Sequence, residues 1–207
     1  MPHASGLRPD ENSLTAGQPR AEIAAPSAGI EPSLPISPRH VHTGIYVVMG
    51  VAGSGKSLIG AALARELGVD FVEGDAYHPA ENVRRMAAGI PLTDDDRAGW
   101  LRSLAARIAD ARTRGTGLVL TCSALKRAYR DVLRTGAADL RFIFLRGPKP
   151  LIADRLASRR GHFMPVSLVD SQFATLEAPG RDEEAWVCDV SEPPESIVAA
   201  LAARAWA

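Results

Sequence analysis

Residues 45–57 read IYVVMGVAGSGKS, and this stretch decides the fold. Ile45 to Met49 is a short run of strand-forming residues, while KSLIGAALAREL (56–67) carries apolar residues at 58, 59, 62, 63 and 67, a helical spacing. Between them Gly50, Gly55, Lys56 and Ser57 satisfy the pattern G-x-x-x-x-G-K-[ST]. A glycine-rich loop that joins a strand to a helix turns backbone N–H groups inward on a polyphosphate, and the helix N-terminus adds partial positive charge. Gly50, Ala52, Gly53, Ser54, Gly55, Lys56 and Ser57 are therefore the expected nucleotide-binding residues. In that arrangement Lys56 reaches the β- and γ-phosphates of ATP and the Ser57 hydroxyl ligates Mg²⁺.

Working outward, residues 1–43 hold seven prolines, at 2, 9, 19, 26, 32, 35 and 38, among Ser, Ala, Gly and Glu. Such a composition buries too little apolar surface to order itself, so a disordered N-terminal tail is expected, followed by one domain over 44–207. Beyond the loop the chain alternates strand-like and helix-like stretches. VDFVEGD (69–75), GLVLT (117–121), LRFIFL (140–145) and WVCDV (186–190) read as strands. Helical patterns fall at 80–89, at about 98–113, after CSALK, from Pro150 to about Arg160, and after Pro193 or Pro194. That order predicts an α/β fold: a central parallel β-sheet flanked by helices in three layers.

Lys plus Arg and Asp plus Glu balance at 24 each, so no global field recruits nucleic acid or an anionic membrane. Aromatic residues are 5% of the chain, too few for a base-stacking platform. Cys122 and Cys188 lack metal or disulfide spacing, and no stretch approaches the length of a membrane span. A cytoplasmic enzyme acting on a small molecule is the expectation these exclusions leave.

Candidate chemistry sits at strand ends. Asp75 closes the second strand and is the carboxylate best placed to orient a nucleophilic hydroxyl or take its proton, with a helix or turn cap as the alternative. His78, followed by proline, is either a donor to a substrate oxygen or a surface turn residue. Asp94, Asp95 and Asp96 suit a helix N-terminus, and Arg97 beside them offers a bidentate contact to a substrate carboxylate or a local ion pair. Ser123 opens CSALKRAYR where open α/β sheets place their ligand crevice. Lys126 and Arg130, four apart, are read as substrate-anion ligands or as a solvated basic strip. Arg155, Arg159, Arg160 and His162 in RLASRRGHFMP look like the edge of a mobile lid that carries positive charge over a transferring phosphoryl group.

The blocks GVAGSGKS, GDAYHPAENVRRMAAGIPLTDDDRAGWL, CSALKRAYRDVLR and RRGHFMPVSLVDSQFATLEAP resemble the successive motifs of bacterial-type gluconokinases, relatives of shikimate kinase. The resemblance covers residues 45 to about 205. It implies a nucleoside-monophosphate-kinase-like P-loop fold and ATP-dependent phosphorylation of D-gluconate on its terminal hydroxyl by a homodimer. It also implies that Asp75 faces the attacking hydroxyl and that Arg97 and the CSALK turn hold the polyol and its carboxylate. The lid cations Arg159 and Arg160 would then serve catalysis, with His162 at the substrate. Ala52 stands where serine is common, Gly99 replaces a frequent proline, and residues 1–43 fall outside the pattern. Against a shikimate kinase, CSALK occupies the place of that family's glycine-rich turn. A non-catalytic nucleotide-binding module is the rival of a different class.

Overall fold

The computed structural model describes residues 42–158 and 166–207. Five strands, β1 (Ile45–Met49), β2 (Asp70–Glu73), β3 (Leu118–Thr121), β4 (Arg141–Arg146) and β5 (Trp186–Asp189), form one sheet in the order β2-β3-β1-β4-β5. All four pairings are parallel. The registers align the strand ends: Thr121 pairs with Val48 on one side and Glu73 on the other, and Met49 pairs with Phe144. As a result, the segments leaving β1, β2 and β3 emerge side by side along one edge of the sheet, where such folds build their sites.

Alternation along the strands divides the core into two layers. Ile45, Val47, Met49, Leu118, Leu120, Phe142 and Phe144 face one side, against Trp100, Leu101, Leu104 and Ile108 of α3 (Asp94–Arg114) and Leu133 of α4 (Arg127–Arg134). Tyr46, Val48, Val119, Ile143 and Leu145 face the other. There they meet Ile59, Leu63 and Leu67 of α1 (Lys56–Leu67) and Ile197 and Leu201 of α7 (Pro194–Ala205). Each such side chain, withdrawn from water, contributes about 1.5–3 kcal/mol, so both layers hold the strand ends in place.

Three local results refine the sequence expectations. Helix α3 starts at Asp94 rather than near 98 because Thr93 is its N-cap: the Thr93 hydroxyl accepts from the Asp96 N–H, and Asp96 accepts from the Thr93 N–H. The acidic run therefore lies inside the first turn, where it complements the helix dipole. A helix that the residue pattern did not single out, α6 (Val166–Thr175), packs near α5 (Lys149–Ala157) and buries Val169. His42, counted in the expected tail, is 8% exposed, bonds to the Ala205 carbonyl at 3.1 Å and packs edge-on against Trp206. Short α2 (Ala80–Ala87) falls within its expected span. The rest of the expected tail and the tip of the expected lid, with Arg159, Arg160 and His162, lie outside the described residues.

Candidate active site

The loop after β1 has the geometry its glycines promise. Gly50, Gly53 and Gly55 take φ of 143°, 80° and 95°, values L side chains rarely adopt. At Gly55, the residue capping α1, a Cβ would meet nothing within 4 Å, so the space above the helix N-terminus is open. The first turn of α1 contains no acidic residue, which leaves its dipole for an anion. Ser54 is 1% exposed, yet among the described residues its Oγ has no hydrogen-bond partner. A buried hydroxyl without a partner beside an open nest of amides fits a phosphate oxygen. The exposed Ser57 hydroxyl sits in the first turn of α1, and Lys56 Nζ donates to the Val51 carbonyl at 3.1 Å. No group of three metal-ligating side chains occurs among the described residues, so a magnesium ion here would take Ser57, phosphate and water oxygens, the arrangement this ion favours.

Gly53, Ser54 and Gly55 also form one wall of a cleft of about 340 Å³, whose far wall includes Arg155, Val190, Glu192 and Pro194. Arg155 donates to the Val190 carbonyl at 2.7 Å and so fixes the loop after β5 across from the phosphate loop. The cleft thus runs from the phosphate loop to the segment following β5.

Asp75 is positioned by the glycine before it. A Cβ on Gly74 would lie 1.9 Å from the Thr121 carbonyl oxygen, so only glycine lets the end of β2 run this close to β3. The Gly74 N–H donates to Thr121 Oγ1 at 3.1 Å, and the buried Trp100 indole donates to the Gly74 carbonyl at 2.8 Å. Asp75 follows in a single 3₁₀ turn, Gly74–Tyr77, with its residue exposed at the sheet edge. Asp75, Lys56 and Arg97 all act electrostatically on Cys122, the residue after β3, whose thiol burial pushes up to about 12. All three charges therefore act at the end of β3, and the buried thiol there stays neutral. His78 stacks on Trp100 with ring centroids 4.0 Å apart. Burial lowers its pKa, with Asp75 opposing and Arg97 reinforcing the shift, so its ring is neutral near pH 7.

Arg97, Lys126 and Tyr129 line a small cavity with Asp94, Ser171, Gln172 and Thr175. Asp94 binds Lys126 Nζ at 2.7 and 2.8 Å and accepts from the Tyr129 hydroxyl at 2.6 Å. Those two hydrogen bonds hold the Asp94 carboxyl below its usual range, while Lys126 is raised chiefly by the same bond. Arg97 lies 5.9 Å over the Tyr129 ring and, among the described residues, forms no ion pair. Its guanidinium fork is thus open to a carboxylate, whereas Lys126 must share its charge with Asp94. Ser123 stands at the head of the same turn, and its carbonyl accepts from the Gly50 N–H at 3.3 Å, tying the turn to the phosphate loop.

Arg130 requires a correction. It is 1% exposed and does not share a solvent face with Lys126, which precedes α4 as its N-cap. Its guanidinium grips Glu183 through Nε at 2.5 Å and through a second nitrogen at 2.8 Å, and donates to the carbonyls of Ala124 and Glu177 at 3.0 Å. All its donors face protein, so it shapes the site instead of touching a substrate. Ala124 has φ 44°, a strained value for a non-glycine residue, and Arg130 is one of the groups that hold it there. Tyr129 and Gln172 are cavity residues that sequence reasoning missed: the first reads as core on a helical face, the second as one polar residue among many.

A parallel sheet with a phosphate loop after its central strand, and an acidic and cationic acceptor wall beside it, defines a P-loop phosphotransferase. A family model described as "AAA domain" matches residues 45–179. The thermoresistant gluconokinase of Escherichia coli (strain K12) is 46% identical over 157 residues, which cover 75% of this chain and 89% of that protein. The gluconokinase of Gluconobacter oxydans (strain 621H) is 51% identical over 137 residues, 66% of this chain and 77% of the relative. The crystal structure of a gluconokinase from Sinorhizobium meliloti 1021 superposes with a TM-score of 0.72 at 48% identity, covering 79% of this chain and 94% of that one. The chain belongs to the gluconokinase family.

Proposed function

We propose that this protein transfers the γ-phosphoryl group of ATP to the terminal C6 hydroxyl of D-gluconate, giving 6-phospho-D-gluconate and ADP. The observation that carries the reading is the cavity lined by Arg97, Lys126 and Tyr129, whose wall is tied to the phosphate loop by the Gly50–Ser123 and Ala52–Gln172 hydrogen bonds. A linear polyol with one carboxylate needs a cation for the carboxylate, hydrogen-bonding groups along its length and a carboxylate at its reacting hydroxyl. Arg97 supplies the first, Ser123, Lys126, Tyr129 and His78 the second, and Asp75 the third.

The loop amides and Lys56 bind the polyphosphate of ATP and hold it in line with the acceptor. Asp75 orients the C6 hydroxyl and accepts its proton as the new O–P bond forms and the bond to the ADP oxygen breaks. Magnesium, held through Ser57, would supply charge neutralisation on the β- and γ-phosphate oxygens. Arg159 and Arg160 are proposed, from residue type and family motif, as the cations over the transferring group, and His162 as a substrate contact. Assembly as a homodimer and a cytoplasmic location belong to the same reading. Among the described residues no helix is long and apolar enough to cross a membrane.

The test is ADP release from Mg²⁺-ATP against D-gluconate, shikimate, other sugar acids and nucleoside monophosphates. Turnover with gluconate and not with shikimate or the nucleotides is expected. ATP binding without turnover on any acceptor would overturn the proposal in favour of a nucleotide-binding module.

A further inference from the structure

We propose that Gln172 is a positioning residue that couples occupancy of the acceptor cavity to the phosphate loop and Lys56. The proposal rests on the gluconate-kinase reading above. Gln172 lies on α6 in the wall of the cavity that holds Arg97, Lys126 and Tyr129. Its Oε1 also accepts from the Ala52 N–H at 2.7 Å, across 120 residues of sequence. One side chain therefore touches both halves of the site.

The peptide unit it holds matters. Val51 C=O and Ala52 N–H belong to the same planar amide, so the group that fixes one end fixes the other. At the far end, the Val51 carbonyl accepts from Lys56 Nζ at 3.1 Å. A hydrogen bond from its N–H polarises an amide and makes its carbonyl a better acceptor. Gln172 thus sets both the direction and the strength of the carbonyl on which the catalytic ammonium rests. The ammonium has three N–H donors, so the one held by that carbonyl sets where the others point toward the γ-phosphate.

The other end of α6 is tied to the acceptor turn. The Glu177 N–H donates to the Leu125 carbonyl at 2.8 Å, the Arg127 N–H donates to the Glu177 carboxylate at 2.6 Å, and Arg130 donates to the Glu177 carbonyl at 3.0 Å. A polyol acid entering the cavity contacts Gln172 directly and bears on the turn that anchors its helix. Acceptor binding and the placement of Lys56 then share one hydrogen-bonded unit, and by linkage each ligand tightens the other.

The experiment compares wild type with Gln172→Met, which keeps the side-chain length and removes the acceptor oxygen. Calorimetry gives the dissociation constant of a non-hydrolysable ATP analogue with and without saturating D-gluconate. The ¹⁵N–¹H signal of Ala52 is followed while D-gluconate is added without nucleotide. In wild type, gluconate is expected to tighten the analogue about 5-fold or more and to shift the Ala52 amide. In Gln172→Met the tightening should fall toward 1-fold, with an unchanged melting temperature. A variant that keeps the wild-type tightening would overturn the inference. So would a silent Ala52 amide in wild type while gluconate moves the Tyr129 signals, and the functional reading would survive both. Wild type that neither binds nor phosphorylates gluconate would remove the functional reading, and this one with it.

Discussion

The phosphate loop and the acceptor wall face each other across a short gap, yet they are built by opposite means. The loop is eight contiguous residues whose work is done by backbone: N–H groups, glycine torsions and a helix end. The wall draws side chains from the end of β2, the start of α3, the turn before α4 and the middle of α6, segments up to about a hundred residues apart. A backbone device survives most changes in the surrounding sequence, because any chain with those glycines can adopt it. A side-chain device depends on the packing that delivers each residue, which is why Gly74, Trp100 and Arg130 matter to it without facing its cavity.

The contrast can be broken by substitution. On the loop side, Lys56→Ala should lower kcat by about 10³-fold or more with unchanged circular dichroism, because the loop's backbone needs no side chain at 56. An unfolded variant would contradict the claim that backbone alone shapes this half.

Across the gap, Arg130→Met should cost about 3–5 kcal/mol by taking from Glu183, 3% exposed, its two-point partner and leaving only the Arg134 guanidinium at 3.5 Å and the Gly180 N–H. That corresponds to a drop in melting temperature of about 10 °C. The carboxyl of Glu183 is depressed from 4.5 to about 2, chiefly by its hydrogen bond to Arg130. Its stabilisation is therefore complete above about pH 4.5 and is lost as pH falls through about 2. Acid unfolding of the variant should show a weaker dependence over that window. A Met variant as stable as wild type would return Arg130 to the list of substrate ligands.

Asp75→Asn keeps the shape and removes the proton acceptor. It should lower kcat about 10²-fold with little change in the KM for ATP, and a small loss would leave Asp75 as a turn residue only. Arg97→Gln is the mildest of the four. A half-buried guanidinium contact to a carboxylate is worth about 1.4 kcal/mol, or tenfold in the KM for gluconate, and the same variant should leave the nucleotide KM alone. A rise in both constants would mean the two halves are not separable at Arg97.

What could be read in advance follows the same division. GVAGSGKS carried its own geometry, and the alternation of strands and helices gave a parallel sheet, because both signals lie within short windows. Asp75 was legible as an acidic residue ending a strand. Helix α3 began four residues early because Thr93 and Asp96 form a capping box that the aspartate run concealed. The helix α6 went unread because its polar residues, Ser171 and Gln172 among them, face the site and blur the apolar stripe.

Lys126 and Arg130 show where local reading ends. Both are cations, four residues apart, in a motif that names a substrate loop. Nothing in that spacing tells that one pairs at the surface with Asp94 and the other is sealed against Glu183, 53 residues away. The sequence by itself determined the sheet, the phosphate loop and the chemical kinds of residue available. Only the tertiary structure decided which cation faces a ligand and which faces the protein. Burial and the partner across the fold set that choice, and neither is a property of a residue's neighbours in the chain.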